Sequence, residues 1–313
     1  MLTRLVFFVT LVLLSHEVIA QQSLEGIEVL GNKFIARNEV LKGFPISIGT
    51  PFGPDLMPFK TWCNELEERL HVPFARCSIV GYGSGKVYAV IDVVEENEKN
   101  KLTIQSKTTL RDLALDPSIY KLSKQFTTVW IEKLRQNVDV THTLTSNAFL
   151  DFQDPELKTI SNQLFTRTSI QKQEIFNVLE YSSNESQRAE AAKLLSWCGD
   201  PNSAMDVAIR SIRDDNLSVR NNLVQFISYF FEYLKPADIE SLIASLVWQL
   251  DMPSHSDRNK ALGVLYLLVQ KQPELKSTIN KLAGEKITYI AKNSILPNVG
   301  GLAQKILVEL SKK

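Results

Sequence analysis

The chain has 313 residues, and its 35 basic and 35 acidic side chains leave a formal net charge of zero. This balance argues against nucleic acid or an anionic membrane as the main partner, because both select strongly basic surfaces. The length is sufficient for two domains, each with its own core.

Residues 1–20 have the layout of a cleaved secretory signal peptide. Met1–Arg4 carries one positive charge, residues 5–14 are apolar apart from Thr10, and Ala20 is a small residue at the expected cut. The apolar stretch is too short to span a bilayer comfortably, and no later apolar run is longer. We therefore expect an exported chain without a membrane span.

Residues 22–95 are predicted to form a small α+β domain. Residues 24–30 alternate like a strand, and Gly31-Asn32 ends it. A short helix is expected over 36–43 and a longer one over 55–70, because apolar residues recur there at helical spacing. Two further strands, 74–80 and 86–94, flank a glycine-rich hairpin. The predicted order is β-α-α-β-β.

This order, with Ile27-Glu-Val-Leu-Gly-Asn32 at its start and Val90-Ile-Asp-Val-Val-Glu-Glu96 at its end, resembles a POTRA domain. POTRA domains occur in periplasmic parts of outer-membrane assembly and secretion proteins and in some cell-division proteins. If the resemblance holds, the outer strand would pair with an extended segment of a partner protein. The residues expected at that edge are Ser78, Ile79, Val80 and Tyr82.

The chain contains three cysteines. Export would permit a disulfide, and Cys63 and Cys77 are the one pair close in sequence. Sequence proximity alone does not establish that their side chains meet. Cys198 lies at the end of an apolar helix and is expected to be a small buried residue.

The stretch Glu95–Lys101 contains no apolar residue, and residues 96–107 are predicted to be a solvated linker. The remaining residues, 108–313, are predicted to be an almost wholly helical α-solenoid, with residues 141–151 left unassigned. Asp116, Asp154 and Asp200 each precede a proline, which is typical of a helix start. We expect helices near 117–137, 155–166, 169–181, 186–198, 201–213, 217–234, 236–250, 256–271, 273–292 and 298–311.

One apolar pattern recurs four times in this helical region. Its copies start at residues 188, 220, 258 and 299, so they lie 32, 38 and 41 residues apart. In each copy, small or aliphatic residues follow at three, four and seven positions, which defines one face of a helix. A period of this length is typical of a solenoid of helix pairs.

The segment 200–223 resembles a HEAT repeat, in which an aspartate at the turn and an arginine in the next helix form a ladder between repeats. Asp215 and Arg220 match these positions, and Arg188 and Arg258 match the arginine position. Val299 does not match, so the ladder should stop before the last repeat. The resemblance implies an α-solenoid whose concave face holds a protein or peptide.

The sequence predicts no catalytic, cofactor-binding or metal-binding residues. The histidines outside the signal region, His71, His142 and His255, are not at metal-ligand spacing, and no nucleophile elbow or phosphate-binding glycine loop is present. Tyr229 and Phe231 lie on nearly opposite sides of an aromatic helix, so one of them is a candidate binding anchor and burial in the core is the alternative.

These patterns favour a non-enzymatic exported adaptor or scaffold that binds protein partners through the concave face and the sheet edge. The expected compartment is the periplasm of a Gram-negative bacterium, with secretion as the alternative. Two other functions stay open: an enzyme like the HEAT-repeat lyases that attach bilins, and a self-associating structural component of envelope assembly. The sequence names neither the partner nor the oligomeric state.

Overall fold

A computed structural model describes residues 23–51, 55–82, 85–102, 110–136 and 138–312. The predicted signal peptide, residues 1–20, lies outside the described residues, as does residue 103 onward in the predicted linker. The described chain forms a small N-terminal sheet region followed by a mostly helical body. None of its helices is both long and apolar enough to cross a membrane.

The N-terminal region contains a three-stranded sheet with helices along the chain between its first two strands. Its elements are β1 (Ser23–Leu30), α1 (Arg37–Val40), α2 (Met57–Asn64), α3 (Leu66–Leu70), β2 (Phe74–Gly81) and β3 (Lys86–Val94). β3 lies in the centre, parallel to β1 and antiparallel to β2. The long helix predicted over 55–70 is divided at Glu65, and the helix predicted over 36–43 is confined to α1.

Both faces of the sheet are covered. Along β3, Ala89, Ile91 and Val93 pack into a core with α1–α3, whereas Val90 belongs to the core of the helical body. Because side chains alternate between the two faces of a strand, one face of β3 packs against α1–α3 and the other faces the helical body. The sheet is therefore a layer between the small helices and the helical body.

At the start of the stretch after β3, one residue departs from the solvation expected for Glu95–Lys101. Glu95 is buried, and its Oε1 accepts hydrogen bonds from the backbone N–H groups of Phe34 (2.9 Å) and Ile35 (2.8 Å). Residues Glu96–Leu102 form a 3-10 helix. The absence of apolar residues was interpreted as full solvation, but a carboxylate that accepts two backbone hydrogen bonds can be buried.

The helical body begins with α4 (Pro117–Arg135) and a short hairpin of β4 (His142–Leu144) and β5 (Leu150–Phe152). The hairpin was not predicted. The following helices are α5 (Pro155–Thr168), α6 (Lys172–Tyr181), α7 (Glu185–Leu194), α8 (Pro201–Ser211), α9 (Leu217–Tyr229), α10 (Ile239–Leu250), α11 (His255–Lys271), α12 (Lys276–Asn293) and α13 (Gly300–Ser311). Short 3-10 turns extend several of them. Asp116, Asp154 and Asp200 cap α4, α5 and α8 as predicted.

From α6 onward the helices stack in two rows. α7, α9, α11 and α13 contact each other in succession; in the second row, α6 contacts α8 and α10 contacts α12. The predicted apolar face of each first-row helix is buried, as Ala191, Leu223 and Leu262 show. One helix pair cannot bury this face alone, so each pair is stabilised by the next.

The sheet contacts the end of this array through polar and close-packed groups. Glu28 of β1 is buried, and its Oε2 accepts hydrogen bonds from the Ser294 hydroxyl (2.5 Å) and the Ile295 N–H (2.9 Å). The Tyr82 hydroxyl bonds to Asn298. A Cβ at Gly26 would lie 2.8 Å from Ile295 Cδ1, so a larger residue there would require the Ile295 side chain to move.

Candidate binding cleft

The first-row helices present a second, polar face beside their buried one. On α7, Ser186, Ala189 and Lys193 recur at helical spacing, and α9 presents a similar series from Ser218 to Tyr229. These faces line a cleft of about 1000 Å³ that also includes Lys260 of α11. This cavity, called the cleft below, lies between α4, residues 138–152, α7, α9 and α11.

The wall of the cleft opposite α9 is aromatic. Phe126 of α4 contacts Phe152 of β5 and Trp197 edge-on, with ring centroids 5.2 and 5.0 Å apart. The His142 ring lies between Phe152 (5.3 Å) and Tyr229 (4.6 Å). Edge-on aromatic contacts of this kind add stability beyond burial alone. The β4–β5 hairpin therefore supplies an apolar wall where the array begins.

One end of the cleft contains a closed network of charges. Glu190 Oε2 lies 2.6 Å from Lys193 Nζ and accepts a hydrogen bond from the Ser123 hydroxyl (2.7 Å), and Oε1 lies 2.8 Å from Lys124 Nζ. Burial would raise the pKa of Glu190, but the two ammonium groups outweigh burial and hold that pKa below its usual value. Lys193 also donates to the Thr127 hydroxyl (2.6 Å). These groups satisfy each other.

Lys260 lies outside this network. Its Nζ is 3.2 Å from Gln225 Oε1, and Gln225 Nε2 donates to the Tyr229 hydroxyl at 2.6 Å. Burial lowers the pKa of Lys260. Within the described residues, no carboxylate lies at ion-pair distance from it, so this half-buried cation is balanced by a neutral amide alone.

The cleft contains one histidine, and burial lowers the pKa of His142, so its ring is favoured in the neutral form. His255 is not a lining residue of the cleft. Among the described residues, no group of three or more His, Cys, Asp or Glu is arranged to hold a metal ion. The chemistry that the cleft offers is apolar contact, amide hydrogen bonding and one positive charge.

The two candidate anchors are placed differently. Tyr229 is half-buried at the end of α9 and lines the cleft, where it contacts His142. Phe231 begins a 3-10 turn, packs against the core of the helical body and is not a lining residue. The change from α-helix to 3-10 turn after Tyr229 separates the two side chains.

The arginines of the ladder are buried, and they pair with other carboxylates in addition to that of Asp215. Arg188 Nε and Nη2 each lie 3.0 Å from an oxygen of Asp214, and Nη2 also pairs with Asp215. Asp214 is buried, whereas the Asp215 side chain is 42 % exposed. Sequence reasoning missed Asp214, although its position beside Asp215 at the same turn was the available signal.

Arg220 extends the ladder to the next repeat. Its Nε and Nη2 lie 2.9 and 2.7 Å from the two oxygens of Asp257, and its Nη1 donates to the backbone carbonyls of Asp214 and Asp215. Arg220 thus contacts Asp215 through the main chain and not through the carboxylate. Asp257 directly precedes Arg258 in sequence and was not predicted as a partner.

Arg258 takes its carboxylate from the sheet. Its Nη1 donates to the Met252 carbonyl (3.0 Å), and its Nη2 lies 2.6 Å from Asp92 Oδ1 of β3. The last ladder arginine thus joins the array to the N-terminal region. Burial raises the pKa of Asp92, and Arg258 opposes this shift in part.

Cys63 of α2 and Cys77 of β2 form a disulfide, with Cα atoms 6.1 Å apart. Cys198 is buried as a free thiol, and burial raises its pKa, so the unreactive thiol form is favoured.

β2 is an outer strand of the sheet, and one side of it faces away from β3. The Ala75 N–H donates to Glu67 Oε1 and not to β3, and N–H directions alternate along an antiparallel strand. The N–H groups of Cys77 and Ile79 therefore also face the free edge. At the predicted edge, the side chains of Val80 and Tyr82 pack against the helical body, Ile79 packs toward α1–α3, and Ser78 is half-buried.

Searches of protein-family models, of curated proteins and of solved structures found no significant match for this chain.

Proposed function

We propose that the protein is an exported, non-enzymatic adaptor that holds a segment of a partner protein in the cleft. The proposal interprets the helical body as a HEAT-type solenoid and the N-terminal region as a POTRA-like domain, on the sequence resemblances given above. It also retains the free edge of β2 as a second contact for an extended segment.

The observation that carries the proposal is the composition of the cleft. A continuous volume of about 1000 Å³ extends across the first-row helices α7, α9 and α11, with an aromatic wall on one side and amide side chains on the other. Such a mixture fits a polypeptide, whose side chains need apolar contact and whose backbone needs hydrogen-bond partners. Tyr229, which is half-buried and lines the cleft, is of a residue type that dominates binding energy at protein interfaces.

Site-specific photo-crosslinking in the producing cells tests this function. A benzophenone amino acid at Asn221, a half-buried residue of the cleft, should form adducts that a protease destroys. The matched control carries the same probe at Lys281, an exposed residue of α12 outside the cleft. Equal adducts at the two positions, or none at Asn221, would contradict the proposal.

A further inference from the structure

We infer that Lys260 determines the specificity of the cleft, and that the bound segment presents an aspartate or glutamate carboxylate next to an aromatic or branched apolar side chain. The inference rests on the proposed function, since it names the chemistry of the segment that the cleft accepts.

The charges of the cleft do not cancel. Lys124 and Lys193 share the carboxylate of Glu190, and the exposed Asp139 accepts a hydrogen bond from the Thr141 N–H. Lys260 has no such partner among the described residues and contacts only the Gln225 amide oxygen. A ligand that carries one negative charge would therefore complete the cleft electrostatically.

A half-buried ammonium group costs free energy unless it is paired, because it has lost part of its hydration shell. Ion pairs with a carboxylate are shorter and stronger than hydrogen bonds between neutral groups. A ligand carboxylate at Lys260 would recover that cost only in the complex. Ligands without a negative charge would leave the Lys260 ammonium group unpaired. The cleft would therefore bind acidic ligands more tightly than uncharged ones.

The neighbours of Lys260 indicate what lies beside the carboxylate. Gln225 bonds to Lys260 through its oxygen and to the Tyr229 hydroxyl through its nitrogen, so it spans from the cation to the aromatic wall. Tyr229 in turn contacts His142. A segment with its carboxylate at Lys260 would therefore place an adjacent side chain against these two rings.

The polar face of α9 favours a polypeptide over a fatty acid. Asn221 and Asn222 line the cleft on the same face as Ser218 and Gln225. Asn222 already donates to the Ala189 carbonyl (2.8 Å), and the remaining amide atoms can bond to a peptide backbone. An alkyl chain would desolvate these groups without replacing their hydrogen bonds.

Selection from a phage-displayed random dodecapeptide library tests the inference. Wild-type protein should enrich Asp or Glu within two positions of an aromatic or branched residue. Lys260→Met should lose the acidic enrichment and keep the aromatic one, whereas Lys260→Arg should keep both. Lys281→Met is the matched surface control and should select as wild type does. A thermal melt checks that each variant is folded, and Lys260→Gln replaces Lys260→Met if that variant is not.

The best selected peptide then gives the quantitative result. Exchange of its acidic residue for the corresponding amide should weaken binding to wild type at least about tenfold, in line with a charge-assisted hydrogen bond in a partly buried site. The same exchange should leave binding to Lys260→Met unchanged. No acidic enrichment, or an equal loss in both proteins, would overturn the role of Lys260. Displacement of the peptide by micromolar dodecanoate would overturn the peptide assignment in favour of a lipid carboxylate.

Asn221→Trp separates this inference from the proposed function, because the indole would occupy the part of the cleft beside α9 and obstruct a bound segment. If it abolishes binding of peptides that show no acidic preference, the cleft binds peptides and the role of Lys260 is wrong. If it leaves binding of all selected peptides unchanged, the cleft is not the site, and the proposed function fails together with the inference.

Discussion

Arg220 and Arg258 occupy the same position in consecutive repeats, yet their carboxylate partners come from different parts of the molecule. The Nη1 of each donates to a backbone carbonyl six residues earlier, that of Asp214 or that of Met252. Arg220 then pairs with Asp257 of the next repeat, whereas Arg258 pairs with Asp92 of the sheet. The same local geometry therefore serves two kinds of contact.

The difference shows how the array ends. The last repeat has Val299 where earlier repeats have arginine, so the ladder does not continue through it. The sheet supplies the carboxylate for Arg258 in place of the last repeat, and Glu28 adds a second polar contact at α12–α13. The N-terminal region is thus a cap for the array as well as a unit with its own small core.

The largest expected effect is at Arg220. Arg220→Met leaves the buried carboxylate of Asp257 without its partner, and it should lower the free energy of unfolding by about 3–5 kcal/mol. Urea denaturation followed by circular dichroism measures this. The double variant Arg220→Met/Asp257→Leu should recover a large part of the loss, because it removes the unpaired charge.

Arg258→Met sharpens the contrast. Its cost should be smaller than that of Arg220→Met, because burial already raises the pKa of Asp92 and this carboxyl can take up a proton when its partner is removed. The loss of unfolding free energy caused by Arg258→Met should be smaller at pH 5 than at pH 7.5. A cost equal to that of Arg220→Met at both pH values would show that the two contacts do not differ in kind.

A third prediction concerns the disulfide of the sheet region. The variant Cys63→Ala/Cys77→Ala should lose about 3 kcal/mol, as expected for a closed loop of this length. Because the sheet shares a core with the helical body, unfolding should stay a single transition by circular dichroism and by tryptophan fluorescence. A separate early transition would indicate that the cap unfolds independently. Added reductant should not change the unfolding free energy of the double variant, because it has no disulfide to reduce.

The comparison also explains what could be predicted from sequence. Each repeat carries its apolar spacing within one helix, and the helix starts are marked locally by Asp116, Asp154 and Asp200. These signals need no knowledge of distant residues. For most helix ends of the body, the predicted and observed positions therefore differ by only a few residues.

The junction and the cleft depend on contacts between distant parts of the chain. Nothing near Asp92 in sequence indicates Arg258 as its partner, although the nearly continuous apolar run of β3 is typical of a strand buried on both faces. The β4–β5 hairpin has no clear periodicity, so the aromatic wall was missed. The lack of a carboxylate beside Lys260 is a property of the folded chain alone.

A fourth prediction uses pH to test the burial of His255 at the start of α11. Burial, with a smaller effect from Arg258, lowers the pKa of His255 to about 4. The unfolded chain takes up a proton near pH 6.5 and the folded one does not, so stability is lost as pH falls from about 6.5 toward 4. Between pH 7.5 and pH 5 this residue should cost roughly 2 kcal/mol.

The measurement compares urea denaturation of wild type and His255→Asn at several pH values. The variant should lose about 2 kcal/mol less than wild type over this interval. Parallel pH profiles for the two proteins would mean that His255 is not held neutral in the folded state.

The smallest expected effect is at Ser294, on the other side of the junction. Burial raises the pKa of Glu28, and the Ser294 hydroxyl opposes this shift by donating a hydrogen bond to the carboxylate. Ser294→Ala should cost about 1 kcal/mol at pH 7.5, because the Ile295 N–H remains as a donor.

The variant should raise the pKa of Glu28 further, so its folded state takes up a proton at higher pH and the cost should shrink at pH 5.5. In a Glu28→Gln background, the effect of Ser294→Ala should be the same at both pH values. If the cost in the wild-type background were also independent of pH, the hydroxyl would act through packing alone and not through the charge of Glu28.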